Sequence, residues 1–387
     1  MEIAIVVVGY NRPNSIKRLL NSLSNSIYPK NKNIKLIISI DKFKTENEKL
    51  ENEKVLQIAQ NFEWINGEKI IKYQKNNLGL KNHILSCGDL TKEYENIILL
   101  EDDLYVSPYF YDYSMKCLSY YNIDKKIAGI SLYKHNYNES AGYPFYPLED
   151  SGDVFFMQIA SSWGQMWSKR MWNSFRKWFD NNPEISECSI LPEDVKNWPS
   201  SSWKKHFIDY LVSNNLYFVY PRISLTTNFM DCGTHHSGNS KILQNSLLLK
   251  EKEYKFINFC DSLSRYDSYC EIESDILKLF DLDLSKYDFI VDLYGTKNIS
   301  LIKNKEYILT SKKITSPIKN YALELKPHEN NIIFKNKGED IFFGKITDIV
   351  FKRNELKIYE YFYTNITKGI AKLFLEKIIM KLFKERG

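Results

Sequence analysis

Residues 97–103 read Ile-Ile-Leu-Leu-Glu-Asp-Asp, four consecutive apolar residues followed at once by three carboxylates. An apolar run of this kind is typical of a strand that is buried on both faces of a parallel sheet. Adjacent carboxylates are hard to keep ionised together unless a cation lies beside them. The stretch therefore predicts a buried strand with divalent-cation ligands at its carboxyl end. A solvated acidic turn is the alternative interpretation of the tripeptide taken alone.

The sequence before this stretch repeats the pattern of an apolar strand followed by polar residues. Strands are predicted at Ile3–Val8, Ile34–Ile40 and Ile70–Tyr73, and helices from Pro13, over Glu46–Phe62 and over Leu80–Leu90. This alternation predicts a doubly wound, mostly parallel sheet flanked by helices. Ligands of such sheets bind beyond the carboxyl ends of the strands. Asn11 and Arg12, Asp41 and the Glu-Asp-Asp tripeptide are predicted to converge there.

The remaining sequence suggests three parts. Residues 1–240 are predicted to form one large domain on this sheet, and the Trp- and Tyr-rich segment from Ala128 to Gly238 to form the second half of the same domain. Residues 241–360 are predicted to form a smaller accessory α/β region with strands at Phe289–Leu293 and Ile332–Phe334. Residues 361–387 are predicted to form a terminal amphipathic helix, whose basic side fits either an anionic membrane surface or solvent.

Composition narrows the functional classes. The 387 residues include 43% hydrophobic and 26% charged residues and carry a net charge of +5, a mild excess that suits an acidic ligand. The first two thirds contain no concentrated basic stripe, so no nucleic-acid partner is expected. Six scattered cysteines without a CxxC pair indicate reduced thiols rather than a zinc site. No apolar run approaches the ~20 residues of a membrane span. We therefore expect a cytoplasmic protein, with peripheral contact to the inner face of the cell membrane through the last helix.

The successive motifs VVVGYNRP, ISID, NNLGLKNH and IILLEDD resemble GT-A glycosyltransferases of family 2. They resemble more closely the N-acetylglucosaminyltransferase I group, family 13. The pattern is also similar to that of bacterial capsule and surface-polysaccharide transferases. SSWGQMW at 161–167 and PRISLTTNFMDCGTHHSG at 221–238 extend the resemblance over roughly residues 1–240. The resemblance implies a GT-A Rossmann-like fold, with residues 1–240 as the nucleotide-sugar-binding and catalytic domain and the segment from Ala128 to Gly238 as its acceptor side. It also implies metal-dependent, inverting transfer of a sugar from a UDP-sugar to a carbohydrate or lipid-linked glycan acceptor, in bacterial capsule or surface-glycan synthesis.

The resemblance also implies roles for individual residues. Asp103 would ligate Mn²⁺ or Mg²⁺ directly, Asp102 would face the sugar or the ribose, and Asp41 would contact the uracil and ribose. The remaining donor-binding residues would be Gly9, Tyr10, Asn11 and Arg12 in the first loop, with Asn77, Gly79 and Lys81 beside the nucleotide sugar. Structural alternatives remain open, because Asn11 and Asn77 are common in turns and Asp41 is a frequent helix cap.

The later motifs would complete the donor site. Trp163 and Gly164 match part of the acceptor and donor-sugar pocket, whereas Trp167 and Trp172 are expected in the core. His235 and His236 match a loop near the diphosphate, and His236 is a candidate metal ligand. A structural role for either histidine stays open.

The catalytic base is where the sequence departs from the family pattern. An inverting transferase needs a carboxylate that accepts the proton of the acceptor hydroxyl. The family places this Asp directly after a Trp, but here Trp203 is followed by Lys204. Glu193, Asp194 and Asp209 are the nearby candidates, and Asp194 is preferred. If none of them serves, the enzyme is slow, uses another geometry or retains configuration.

Two other functions fit parts of the sequence. A nucleotidyltransferase also places metal-binding carboxylates beside such a sheet, but it usually carries a Gly-rich basic loop, which GYNRPNS is not. A non-catalytic nucleotide-sugar-binding protein would account for the missing Trp-Asp carboxylate. The donor sugar, the acceptor and the oligomeric state are not encoded in any of these motifs.

Overall fold

The computed structural model describes residues 2–30, 33–231, 243–299, 305–350 and 354–363. His235 and His236 lie outside these ranges, and so does the predicted C-terminal helix apart from residues 361–363. The chain forms two compact units, Met1–Ser140 with Pro147–Cys270, and Ala141–Tyr146 with Glu271–Gly387. The predicted division at residues 240 and 360 stays a prediction, because 232–242 and 364–387 are not described. Within the described ranges, no helix is long and apolar enough to cross a bilayer.

The first unit contains most of the regular structure. Its helices are α1 Pro13–Ser24, α2 Glu46–Asn61, α3 Gly79–Gly88, α4 Thr91–Tyr94, α5 Phe110–Tyr121, α6 Lys169–Asn181, α7 Glu193–Asn197 and α8 Trp203–Ser213. Its strands are β1 Ala4–Gly9, β2 Leu36–Ile40, β3 Lys69–Tyr73, β4 Asn96–Glu101, β5 Leu104–Val106, β6 Ile127–Ser131, β7 Tyr137–Asn138, β9 Val154–Met157, β10 Gln165–Ser168, β11 Tyr217–Pro221, β12 Thr226–Asn228 and β13 Arg265–Tyr266. The short strand β8, Tyr143–Pro144, belongs to the second unit. The four predicted N-terminal strands and the three predicted helices are thus confirmed to within about two residues at most ends.

A nine-stranded sheet organises this unit, in the order β13-β9-β11-β6-β10-β4-β1-β2-β3. Strands β3, β2, β1 and β4 run parallel, as the alternating strand and helix pattern requires. Strand β10 runs antiparallel between β4 and β6. The predicted fold class, a mostly parallel sheet flanked by helices, is confirmed.

The helices cover both faces of this sheet. Because parallel crossovers are right-handed, α1 and α2, which lead from β1 towards β3, lie on one face. The connection from β3 to β4 runs back across β2 and β1, so α3, which lies in it, is on the opposite face. On that face α3 and α6 contact α8. The buried rings of Trp167 and Trp172 lie 4.6 Å apart beneath these helices. Their predicted place in the core is confirmed.

The second unit contains a four-stranded sheet in the order β14-β15-β17-β16. Its elements are α9 Ser274–Phe280, β14 Phe289–Asp292, β15 Tyr307–Thr310, β16 Lys319–Tyr321, α10 Glu329–Ile333, β17 Ile341–Lys345 and α11 Glu355–Tyr363. This unit contains both helices and strands, but the strand predicted at Ile332–Phe334 is wrong, since Ile332 and Ile333 belong to α10 and Phe334 is its C-cap. Ile332 is buried whereas Phe334 is 68% exposed. The Asn331 side chain accepts from the N–H groups of Glu324 and Leu325, which fixes the helix against the preceding turn.

Candidate functional site

The ends of β1 and β4 bring the first loop and the acidic tripeptide together. These two strands are parallel neighbours, and Val8 pairs with Glu101, so both chains leave the sheet at the same edge. The Arg12 guanidinium donates from Nη1 to Asp103 Oδ2 at 3.2 Å, and from Nη2 to Asp102 Oδ1. The predicted convergence of Arg12 with Asp102 and Asp103 is therefore present in the fold.

Burial and charge together set the electrostatics of this cluster. Burial raises the pKa of Asp102 to about 6, although Arg12 opposes the shift. Burial and the Asp103 charge raise the pKa of Glu101 to about 8, which favours its protonated form near neutral pH. Burial alone would lower the pKa of Arg12, but the charges of Asp102 and Asp103 raise it overall. The cluster thus holds more negative charge than one guanidinium balances.

One carboxylate oxygen in this cluster has the properties of a cation ligand. Asp103 is only 9% exposed, and its Oδ1 is buried without a hydrogen-bond partner in the described residues. A buried, unpartnered carboxylate oxygen is costly unless a cation or a proton meets it. Mg²⁺ and Mn²⁺ are bound through one or two carboxylates together with substrate phosphates. Asp102 and Asp103 therefore fit such an ion, although the described ranges contain no group of three or more metal-ligating side chains.

The carboxylate of Asp41, which directly follows β2, is hydrogen-bonded to groups of the protein itself. The buried carboxylate accepts from the N–H groups of Lys42, Leu78 and Gly79, each at 2.9 Å, and from the side chain of Asn77 at 3.3 Å. It thereby holds the Asn-Leu-Gly turn at the start of α3. Contact between Asp41 and a nucleotide would require one of these donors to be exchanged. The cap-like alternative accounts for the observed bonds, and nucleotide contact stays a prediction.

A buried asparagine that the motifs did not single out joins the ends of β1 and β2. The Asn52 side chain, on α2, donates to the carbonyl of Tyr10 at 2.6 Å and to that of Asp41 at 2.8 Å. Its Oδ1 accepts from the Tyr73 hydroxyl at 2.8 Å. The sequence did contain a signal, because Asn52, Val55 and Ala59 share the buried face of α2 at helical spacing. Asn52 therefore fixes the loop that the resemblance assigns to the nucleotide.

The other predicted donor residues lie around this loop. Asn11 is half-buried between Tyr10 and Arg12, and Asn77 is exposed and donates to the carbonyl of Lys42 at 2.5 Å. Lys81, on the first turn of α3, is close enough to α8 for its charge to add to burial in lowering the pKa of His206. Asn77 and Gly79 lie with Asp41, whereas Lys81 faces the helix that begins at Trp203.

Trp163 and Gly164 are linked to the acidic tripeptide through β12. The carbonyl of Trp163 accepts from Thr226 Oγ1 at 2.5 Å, and β12 pairs with β5, which directly follows Asp103. The N–H of Phe229 donates to the carbonyl of Asp103 at 3.0 Å. Gly164 has φ +91°, and a Cβ there would lie 2.7 Å from Thr226 Cγ2, so both backbone and space require glycine. Trp163 is half-buried against Tyr133, with ring centroids 4.7 Å apart.

The three candidate bases fall into two environments. Glu193 and Asp194 lie in α7, which is fastened to the start of α8 because Lys205 Nζ donates to the carbonyls of Lys196 and Trp198. Asp209 is buried in α8 and accepts from the hydroxyls of Ser189 and Ser213. These bonds give Asp209 a structural task. Asp194 is half-exposed, whereas Glu193 is exposed and Asp209 is buried. A role as base stays a prediction for each of the three.

Comparisons with known proteins complete the description. Neither protein-family models nor curated proteins match the sequence. Among solved structures, the chain is similar to TarS 1-349 of S. aureus, with 13% identity over 58% of this chain and 60% of that one and a TM-score of 0.36.

Two further similar structures carry ligands. The mannosyltransferase PcManGT of Pyrobaculum calidifontis in complex with GDP-Man and Mn²⁺ is 12% identical over 46% of each chain, with a TM-score of 0.32. GalNAc-T7 with UDP, GalNAc and Mn²⁺ is 9% identical over 57% of this chain and 42% of that one, with a TM-score of 0.38. The aligned part spans less than two thirds of each of these proteins. The proposals below therefore rest on the residues of this chain.

Proposed function

We propose that this protein is a metal-dependent glycosyltransferase that moves a sugar from a UDP-sugar to a carbohydrate or lipid-linked glycan acceptor, with inversion, in bacterial capsule or surface-glycan synthesis. The observation that carries the proposal is the pair Asp102 and Asp103 at the end of β4, with the unpartnered Asp103 Oδ1 beside Arg12. A diphosphate leaving group requires positive charge, and this edge of the sheet offers a cation-binding carboxylate and a guanidinium together.

Each residue near the sheet edge has a separate task in this proposal. Asp103, with Asp102, would hold the divalent cation, which when bound supplies charge neutralisation to the departing diphosphate. Arg12 presents a planar fork that suits diphosphate oxygens as well as carboxylates. Asp41 and Asn52 keep the two adjoining loops in place. Asp194 would accept the proton of the acceptor hydroxyl as that oxygen attacks C1 of the sugar.

The direct test measures UDP release from a panel of UDP-sugars, with simple saccharides as acceptors, in Mn²⁺ or in chelator. We expect release with one donor, lost on chelation and lowered by at least about 100-fold in Asp103→Asn. Asp180→Asn is the matched control, because Asp180 is an exposed carboxylate paired only with Arg176 on the surface of α6. Release that ignores both the chelator and Asp103→Asn would contradict the metal-dependent proposal.

The same experiment separates the alternatives. Release of pyrophosphate from a nucleoside triphosphate would identify a nucleotidyltransferase. Tight UDP-sugar binding by calorimetry without turnover would identify a non-catalytic binding protein.

A further inference from the structure

Lys204, where the resembled family has its catalytic Asp, lies between two indole rings. Its Nζ is 5.0 Å from the ring centroid of Trp163 and 5.1 Å from that of Trp198. Both tryptophans and Lys204 itself are half-buried. A cation over aromatic faces at these distances is held by the ring quadrupoles. The position of the ammonium group is therefore defined by two rings rather than left to solvent.

The charge of Lys204 is not paired with a carboxylate. Among the described residues, Lys204 forms no ion pair and no hydrogen bond. The next residue is a useful contrast, because Lys205 Nζ donates to the carbonyls of Lys196 at 3.2 Å and Trp198 at 2.8 Å. An ammonium group has three N–H donors. Those of Lys205 are partly used by the fold, whereas those of Lys204 remain available to a ligand.

Lys204 lies in the first turn of α8, the helix that covers the face of the sheet carrying Glu101. Ile97 of β4 pairs with Trp167 of β10, and the Trp167 ring packs against Trp203 of α8. Because side chains alternate along a strand, Glu101 lies on the same side of the sheet as Ile97, the side that α8 covers. The Trp163 carbonyl is bonded to Thr226, whose strand pairs with the strand after Asp103. The ammonium group therefore borders the region where the transferred sugar and its acceptor would meet.

We propose that Lys204, with Trp163 and Trp198, forms a subsite for a negatively charged group, a carboxylate or a phosphate, carried by a sugar substrate. This proposal rests on the proposed sugar transfer. A neutral sugar can stack on indole rings, and its hydroxyl oxygens can accept from an ammonium group, but they leave the positive charge without an opposite charge beside it. An anionic oxygen replaces them with charge-assisted bonds. The anion belongs to the donor if the transferred sugar is acidic, and to the acceptor if the glycan carries phosphate or uronate.

Binding is tested first, without any need for turnover. The full chain is titrated with glucuronate, glucose 6-phosphate and glucose, and tryptophan fluorescence is followed. We expect a saturable change with the two anions only, lost in Lys204→Met and kept in Lys204→Arg and in Lys177→Met, which removes an exposed charge on α6. Methionine keeps the apolar stem over the rings and removes the charge. Equal responses to glucose and to the anions, or responses that survive Lys204→Met, would overturn the subsite.

Turnover then distinguishes the two sources of the anion. UDP-glucuronate is compared with UDP-glucose as donor, and phosphate-bearing saccharides are compared with neutral ones as acceptors. We expect Lys204→Met to lower kcat/KM about 10- to 100-fold for the charged member of one pair only, chiefly through KM. An equal loss for charged and neutral substrates, chiefly in kcat, would make Lys204 a positioning residue for Glu101 and overturn the subsite. Absence of sugar transfer in the wild type would contradict the proposed function, whereas the fluorescence titration judges the subsite by itself.

Discussion

Arg12 at the end of β1 bridges the carboxylates of Asp102 and Asp103 at the end of β4, with Arg12 Nη1 3.2 Å from Asp103 Oδ2. The two carboxylates are 3% and 9% exposed, so the guanidinium balances charge that water scarcely reaches. A guanidinium and a divalent cation can therefore both serve as counter-charges for this pair of carboxylates, with Asp103 Oδ1 left open by Arg12.

Arg12→Met is expected to make folding stability depend on metal. Removing the guanidinium leaves adjacent buried carboxylates without a counter-charge, which costs about 2 kcal/mol of unfolding free energy in chelator. Mn²⁺ should restore most of this loss. The measurement is thermal unfolding with Mn²⁺ and with chelator. Arg176→Met is the control, because Arg176 pairs with Asp89 and Asp180 on the surface, and its effect should be the same in both buffers.

Asp41→Asn is expected to loosen the turn before α3. Either orientation of the amide places an NH₂ group against backbone N–H donors, because Lys42 and Leu78 donate to one oxygen and Gly79 to the other. We expect a loss of about 1–3 kcal/mol. Faster amide hydrogen exchange at Leu78 and Gly79 would locate the effect, and unchanged exchange there would contradict it.

Gly164→Ala and Gly79→Ala form a matched pair for separating backbone strain from crowding. Both glycines have positive φ, +91° and +71°, but an added Cβ meets Thr226 Cγ2 at 2.7 Å in the first and no atom within 4 Å in the second. We expect Gly79→Ala to cost about 1 kcal/mol and Gly164→Ala clearly more. Thr226→Ser should recover part of the difference in a double-mutant cycle by urea denaturation. Equal costs at the two glycines would disprove the crowding.

The buried histidines predict a loss of stability in acid. Burial lowers the pKa of both His83 and His206 to about 4 in the folded chain, below the ordinary value of 6.5. Between these values the unfolded chain binds more protons, so unfolding free energy rises with pH. The contribution is complete above pH 6.5 and is lost as the pH falls towards 4.

His206→Phe should flatten this pH dependence by up to ~1.4 kcal/mol per pH unit. The ring packs edge-on against Phe179 at 5.2 Å, and its Nδ1 is buried without a partner in the described residues, so an aromatic replacement is tolerable. Urea denaturation at pH 7.5 and at pH 5.5 measures the change. Parallel pH profiles for the variant and the wild type would refute it.

Much of the fold could be predicted from the sequence because strand ends coincide with polar residues. The buried runs before Gly9, Asp41 and Glu101 predicted both the parallel strands and the edge where Arg12 meets Asp102. The strand predicted at Ile332–Phe334 was wrong because three apolar residues fit a one-sided helix equally well, and the contacts of Asn331 decided between them.

The candidate site was harder to predict because its bonds join distant segments. Asn52 is one polar residue in a helix rich in Lys and Glu, and only the fold brings it to the carbonyls of Tyr10 and Asp41. Asp41 looked like a ligand because it ends a strand, and the four donors that meet it come mainly from a turn more than 30 residues away. The roles of the base candidates and of His235 and His236 stay predictions.

The segment between α6 and α8 is held mainly by hydrogen bonds to its main chain, and this bears on how its sequence can evolve. Side chains from outside it hold it at three points. Asp209 binds the Ser189 hydroxyl, Tyr269 donates to the carbonyl of Leu191, and Lys205 donates to the carbonyls of Lys196 and Trp198. Most of these bonds are made to main-chain carbonyl groups, which are present whatever the side chain. Substitutions in this segment can therefore accumulate without breaking these bonds, so related chains can diverge here while the cluster of Arg12, Asp102 and Asp103 stays unchanged.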